Sequence, residues 1–265
     1  MPATLTDICF NFTHSSFRRD EADVLQRAID AGVTTLIVTG SSVEESQQGI
    51  VLAHKYPDNL YATAGVHPHL AKEWDASSPA AIKKMLVDKK IKAVGECGLD
   101  YNRDFSPRDK QRYAMEAQLE LAVESGLPVF LHERDAHDDF IRILATYKSE
   151  LADAVVHCFT GTQSQMEAYL ELDCHIGITG WICDERRGHH LQDFVGLIPD
   201  NRLMVETDAP YLTPRNLKPQ PRDRRNEPVF LPHICEAVAR ARGETPEQVA
   251  ASTDKTAKLF FRLEN

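Results

Sequence analysis

Eight short, β-branched apolar runs alternate with longer runs of helical period along this chain, and that alternation restricts its fold more than any other feature. The strand candidates are Asp7–Asn11, Thr34–Thr39, Tyr61–Val66, Lys92–Cys97, Pro128–His132, Ala154–Phe159, His175–Thr179 and Arg202–Thr207. Helix candidates lie between them: Ala22–Ala31, Val43–Tyr56, Pro79–Lys89, Pro107–Ser125, Ala136–Tyr147, Gln163–Leu172 and Glu185–Leu197, with Pro228–Arg242 and Pro246–Phe261 closing the chain. Pro107, Pro228 and Pro246 suit a first helical turn, where a missing N–H is harmless. Gly32 and Gly126 suit the left-handed stop after a helix. Runs such as LIV, VFL, AVV and LMV are apolar throughout, as strands covered on both faces of a parallel sheet are. The pattern predicts an α/β fold of the (β/α)8 TIM-barrel type. A doubly wound open sheet is the alternative, because alternation alone does not close a sheet. One barrel domain over residues 1–265 is expected.

Composition excludes several function classes. With 265 residues, 42% hydrophobic and 26% charged, the chain can bury a large core and is not of disordered composition. A net charge of −10 argues against diffuse, charge-driven nucleic-acid binding, though not against a local phosphate site containing a metal. No apolar run approaches the ~20 residues of a membrane span. The start, MPATLTDICF, lacks the basic-then-apolar order of a secretory leader, so a cytoplasmic protein without membrane association is expected. Six cysteines, at 9, 97, 158, 174, 183 and 235, form no C-x-x-C pair and read as buried free thiols of a reducing compartment.

The chemistry lies where His and acidic residues fall. The third strand runs into GVHPH, with His67 and His69; the fourth ends in GECGLD, with Glu96 and Asp100. The fifth ends in FLHERD, with His132, Arg134 and Asp135; the sixth in VVHCFTG, with His157; the eighth in VETDAPYL, with Glu206 and Asp208. Side chains alternate across a strand with period two. Val94 and Glu96, Phe130 and His132, Val155, His157 and Phe159, and Glu206 and Asp208 are therefore each expected to share a face. In a closed barrel these faces meet at the mouth, where two imidazoles and two carboxylates make a mixed nitrogen–oxygen site for a divalent metal. Taken singly, each residue has a bland alternative: a core histidine, or for Asp135 a helix cap. A thiol nucleophile is disfavoured, because Cys158 and Cys97 point away from His157 and Glu96 on their strands.

GVHPH, GECGLD, LHERDAH, HCFTG and ETDAPYLTPR, followed by RRNEP, resemble the motifs of the TatD family of metal-dependent deoxyribonucleases, in the family's order and from about Asp7 to Phe260. The ITGWICDERRG run at 178–188 is closest to the family's bacterial TatD members. The resemblance implies a metallo-dependent-hydrolase barrel and a 3′–5′ exonuclease on single-stranded DNA, with activity on RNA. It implies a divalent cation, Mg²⁺ first and Mn²⁺ or Zn²⁺ as alternatives, on Glu96, His132 and His157, with Asp208 as further ligand and catalytic carboxylate. Relatives in the resembled family mostly begin Asp-x-His-x-His, with both histidines on a second metal; here the run is Asp7-Ile8-Cys9-Phe10-Asn11, which lacks those two histidines.

On this reading the metal acidifies a water and binds a phosphate oxygen, and Asp208 takes the water's proton. Glu206 supports the catalytic group or makes a salt bridge inside the barrel. His67, His69 and Arg134 are substrate-phosphate candidates, Arg through its planar fork; His67 alternatively caps the turn before Pro68, and Arg134 pairs with Asp100 or Asp135. A hydrolase of esters, such as a deacylase of mischarged aminoacyl-tRNA, and a non-catalytic adaptor remain as alternatives. The partners expected are DNA 3′ ends and RNA, with no obligate protein partner. One segment breaks the rhythm: residues 215–225 carry Arg215, Lys218, Arg222, Arg224 and Arg225 against Asp223, a net +4 in a chain of −10. It reads as phosphate contacts or as a network of helix caps, the latter favoured for Arg224, Arg225 and Glu227.

Overall fold

The computed structural model describes residues 4–263; the outer residues of the expected 1–265 domain lie outside that range. Its strands are β1 (Leu5–Phe10), β2 (Val33–Val38), β3 (Leu60–Ala64), β4 (Ile91–Asp100), β5 (Val129–Arg134), β6 (Ala154–His157), β7 (His175–Ile178) and β8 (Leu203–Val205). The helices are α1 (Glu21–Asp30), α2 (Val43–Lys55), α3 (Ser78–Met85), α4 (Arg108–Ser125), α5 (His137–Tyr147), α6 (Gln163–Glu171), α7 (Leu191–Phe194), α8 (Leu231–Arg242) and α9 (Pro246–Phe260). The eight strands form one parallel sheet in chain order. A parallel bridge between Phe10 and Ala209 returns the chain beyond β8 to β1, so the sheet closes as the expected barrel.

The chain divides into two compact units. One holds β1, α1, β2, β7, β8 and α7 to α9; the other holds β3 to β6, α2 to α5 and most of α6. Helix boundaries follow local chemistry. Gly126 and Gly243 end α4 and α8 in the left-handed conformation that a side chain disfavours. Thr245 and Gln248 cap α9 reciprocally, each side chain holding the other's main-chain N–H.

Several sequence expectations fail for identifiable reasons. The helix expected over Glu185–Leu197 does not form; only α7 and a 3₁₀ turn over Val195–Leu197 are helical there. Asp184 Oδ1 instead accepts the Arg186 N–H at 2.9 Å. Gly188 also lies so close to the Trp181 carbonyl that a Cβ would stand 1.8 Å from it. Strand β4 runs to Asp100, and its alternation slips: Val94 pairs Val129 but Cys97 pairs Leu131, so β4 carries one extra residue. Gly95, at φ +135, lies in that slip, so the shared face of Val94 and Glu96 is not a product of simple pleating. Strands β6 and β8 stop at His157 and Val205, and Cys158 and Asp208 adopt φ +48 and +54. Face-sharing by alternation therefore holds neither for His157 with Phe159 nor for Glu206 with Asp208. Asp135, at φ +53, is not a cap of α5 either; Ala136 precedes the helix, and Asp135 accepts from Asn102.

Asp7 on β1 is fully buried and accepts from the Thr207 N–H at 2.9 Å, the Thr207 hydroxyl and the Cys9 N–H. Burial pushes its carboxyl up to about 7, against those hydrogen bonds from Thr207 and Cys9. The unfolded chain releases this proton near 3.8 and the folded chain holds it to about 7, so stability falls as pH rises between them. The drop is on the order of 4 kcal/mol for a shift of this size. Asp7→Asn keeps an acceptor for both N–H groups and carries no charge. Its melting temperature is expected to change less between pH 4 and pH 8 than that of the parent, and parallel thermal melts check this.

Candidate active site

Four imidazoles and two carboxylates gather at the C-terminal ends of β3 to β6. Glu96, nearly buried, is the centre. Its Oε1 lies 2.8 Å from His157 Nε2, 2.9 Å from His132 Nδ1 and 3.1 Å from His67 Nε2. Each imidazole is aimed by its element. His132 and His157 face one another across regular parallel pairing of β5 and β6, and the His157 ring stacks on Phe130 at 4.6 Å. His67 begins the 3₁₀ turn Pro68–Glu73, as the capping alternative expects. Asp100 forms the next layer: its Oδ2 lies 2.6 Å from His69 Nε2 and 3.4 Å from His132 Nε2.

Electrostatics follow from this packing. Burial opposes charge on Glu96, but His67, His157 and His132 outweigh it and hold the carboxyl well below its usual range. Burial opposes charge on His132 as well, yet hydrogen bonds to Asp100 and Glu96 raise it to about 9. His67 is lowered to about 4 by burial, against the pull of Glu96. Its Nδ1 accepts the His69 N–H at 3.0 Å, so the neutral ring carries its proton on Nε2. A ring so protonated is a donor rather than a metal ligand, although His67, Glu96 and His132 offer atoms within 4.8 Å of one another. His132 Nε2 is buried and faces Asp100 Oδ2 at 3.4 Å, a long contact that releases the nitrogen to a cation once the ring gives up its proton. Two imidazoles and a carboxylate at hydrogen-bonding distance are a donor set that fits a divalent ion.

Similarity to known proteins identifies the family. The model of TatD-related DNases matches residues 6–262. The chain belongs to the TatD-related DNase family. A protein of Erwinia billingiae named 3′-5′ ssDNA/RNA exonuclease TatD is 51% identical over 97% of this chain and 98% of its own length. The Salmonella typhimurium protein of the same name is 47% identical over 97% and 98%. Among solved structures, a TatD homologue from Escherichia coli is 30% identical with a TM-score of 0.91, each chain fully covered. A TatD family hydrolase from Entamoeba histolytica is 25% identical with a TM-score of 0.88 over 98% of each chain.

The remaining expected residues of this TatD-related chain divide by surroundings. His69 is held by Asp100 and packs on exposed Phe105 at 4.8 Å. Arg134 ends β5, where its carbonyl accepts the Tyr101 N–H at 2.9 Å. Beyond β8, Glu206 is fully buried and its Oε1 accepts the Cys158 N–H. Asp208 Oδ1 accepts from Asn11 Nδ2 at 2.9 Å and from Cys9 Sγ at 3.4 Å. Cys9 and Asn11 are thus hydrogen-bond donors that orient Asp208. Sequence reasoning missed this role and that of Asp100. The signal for Asp100 was present, since it ends the same GECGLD motif as Glu96. Burial pushes the Cys97 thiol above its ordinary range and Cys183 and Cys235 up to about 12, so these three are poor nucleophiles; Cys158, expected to be buried, is only partly so.

Proposed function

We propose that this chain is a divalent-metal-dependent phosphodiesterase that removes nucleotides from the 3′ ends of single-stranded DNA and RNA. The observation that carries the reading is the convergence of His132 and His157 on Glu96 in a member of this family. The names of its relatives at about half identity supply the substrate class and polarity.

Glu96, His132 and His157 are the proposed ligands of a cation that, when bound, would compensate charge on a phosphoryl oxygen and make its water more acidic. Imidazole-containing donors fit Mn²⁺ or Zn²⁺ at least as well as the Mg²⁺ expected from resemblance. Asp208 takes the proton of the attacking water, its other oxygen steadied by Asn11 and Cys9. His67 is the proposed phosphate donor through Nε2–H, its tautomer fixed by the His69 N–H; that hydrogen is directed at Glu96 Oε1 at 3.1 Å and is released to phosphate when Glu96 holds the cation. His69, locked onto Asp100, and Arg134 line the substrate side, and Glu206 braces the turn after β6.

Oligonucleotides labelled at either end test the reading. Mononucleotide release from the 3′ end of single-stranded DNA and RNA, stopped by a chelator and restored by Mg²⁺ or Mn²⁺, is the expected result. Release from the 5′ end, or acyl loss from aminoacyl-tRNA with no nucleotide release, overturns it.

A further inference from the structure

The loops after β7 and β8 carry a cationic surface that the cleavage chemistry does not use. Asp184, buried, is its post. Arg187 contacts Asp184 Oδ2 at 3.1 Å, and Arg186 and Arg215 approach Oδ1 at 3.6 Å each. One buried carboxylate thus anchors three guanidiniums whose side chains remain 58%, 57% and 42% exposed. The Arg187 guanidinium lies over the Trp181 ring at 4.3 Å, which holds it flat.

The neighbouring loop continues the charge and is itself a built element. Thr213 Oγ1 donates to the Arg224 carbonyl at 2.7 Å and closes its base. Gln220 Nε2 donates to the carbonyls of Pro214, Arg215 and Leu217 and fills its middle. Asn226 Nδ2 ties it to the carbonyls of Thr207 and Tyr211, just around Asp208. Gly180 fits the two loops together, for a Cβ there would stand 2.4 Å from the Leu212 carbonyl. Arg225 is absorbed into structure, bonding Asp20 and Glu227 at 2.6 Å each, as the helix-entry reading expects. Lys218, Arg222 and Arg224 are not absorbed: they are exposed and make no ion pair among the described residues.

A chain of net charge −10 that keeps six exposed cations on two interlocked loops has a polyanion to hold there. We infer that Arg186, Arg187, Arg215, Lys218, Arg222 and Arg224 form a track for the sugar–phosphate backbone of the single strand leading away from the end being cleaved. This rests on the nuclease reading and adds where the uncut strand lies. Exposed Tyr211, edge-on to His14 at 5.8 Å, offers a ring at the near end of the track for a base to stack on. The recognised chemistry is a row of phosphates, so DNA and RNA strands are held alike.

The test uses the variant Lys218→Gln/Arg222→Gln/Arg224→Gln, whose side chains make no ion pair among the described residues, and separately Arg186→Gln/Arg187→Gln and its lysine counterpart. Binding of 20-mer oligodeoxynucleotide and oligoribonucleotide in EDTA is followed by anisotropy over a range of salt. The track predicts that the triple variant binds both roughly ten-fold more weakly, with a salt slope shallower by about 2, three contacts at about 0.7 each. KM for the 20-mer rises in parallel, while cleavage of a dinucleotide, which has no backbone to reach the track, is retained. Arg186→Lys/Arg187→Lys retains 20-mer binding that the glutamine pair loses; equal loss in both means the arginines serve only Asp184 and removes them from the track. Unchanged 20-mer affinity and salt slope in the triple variant overturn the proposal. Failure of the parent to cut either substrate overturns the nuclease reading instead, and the binding arm still decides the track.

Discussion

Glu96→Gln is expected to abolish divalent-cation binding and to lower nuclease turnover by about a thousand-fold. Glu96 Oε1 lies within 3.1 Å of nitrogens from three histidines, so one carboxylate oxygen joins three of the four rings. A cation contributes several kcal/mol to the transition state of phosphoryl displacement, and each 1.36 kcal/mol is ten-fold in rate, which gives the size of the effect as roughly 10³. The glutamine retains the shape but offers a neutral oxygen, and its amide hydrogens face rings that already carry N–H groups. Calorimetric titration with Mn²⁺ on parent and variant reads the metal, and release of labelled nucleotide reads the rate. Binding of parental strength in the variant would remove Glu96 from the ligand set. The His132 proton, held to about 9 by Asp100 and Glu96 after burial is overcome, is also expected to be released at lower pH in this variant.

Asp208→Asn is expected to leave cation binding within about ten-fold of the parent and to lower kcat by roughly 10²–10⁴, the contribution of a positioned general base. Asparagine still accepts from Asn11 Nδ2 and Cys9 Sγ through its carbonyl oxygen, so the turn at φ +54 is preserved. Only basicity is lost. KM is expected to change little, since the group acts on water rather than on the nucleotide. Steady-state kinetics on a short single strand separates the two parameters. A rise in KM at unchanged kcat would make Asp208 a substrate contact, not the base.

Much of this was legible in the sequence where the backbone is regular. β5 and β6 pair residue for residue, so period-two alternation correctly brings His132 beside His157. The buried apolar runs announced a parallel sheet because both faces of its strands are covered, the outer by helices and the inner by the strands' own side chains. Legibility ends where a backbone exception intervenes. The extra residue around Gly95 turns Glu96 in a way no alternation rule contains. Cys158, Asp135 and Asp208 each take a left-handed conformation just beyond a strand, so strand logic cannot be extended past β5, β6 and β8. The helix expected at Glu185–Leu197 had an acceptable composition, but the Asp184 side chain and the bare Cα of Gly188 favour a turn. The tautomer of His67 depends on the His69 N–H, a contact invisible in one dimension.

The closed form of the loop between Thr213 and Arg224 has a consequence for how such enzymes diverge. Its base is sealed by one hydroxyl and its interior filled by one amide, both its own. A segment that fills its own middle in this way can change the side chains on its exposed edge without refitting the catalytic rim. Preference for long or short polymers can then drift independently of hydrolysis itself.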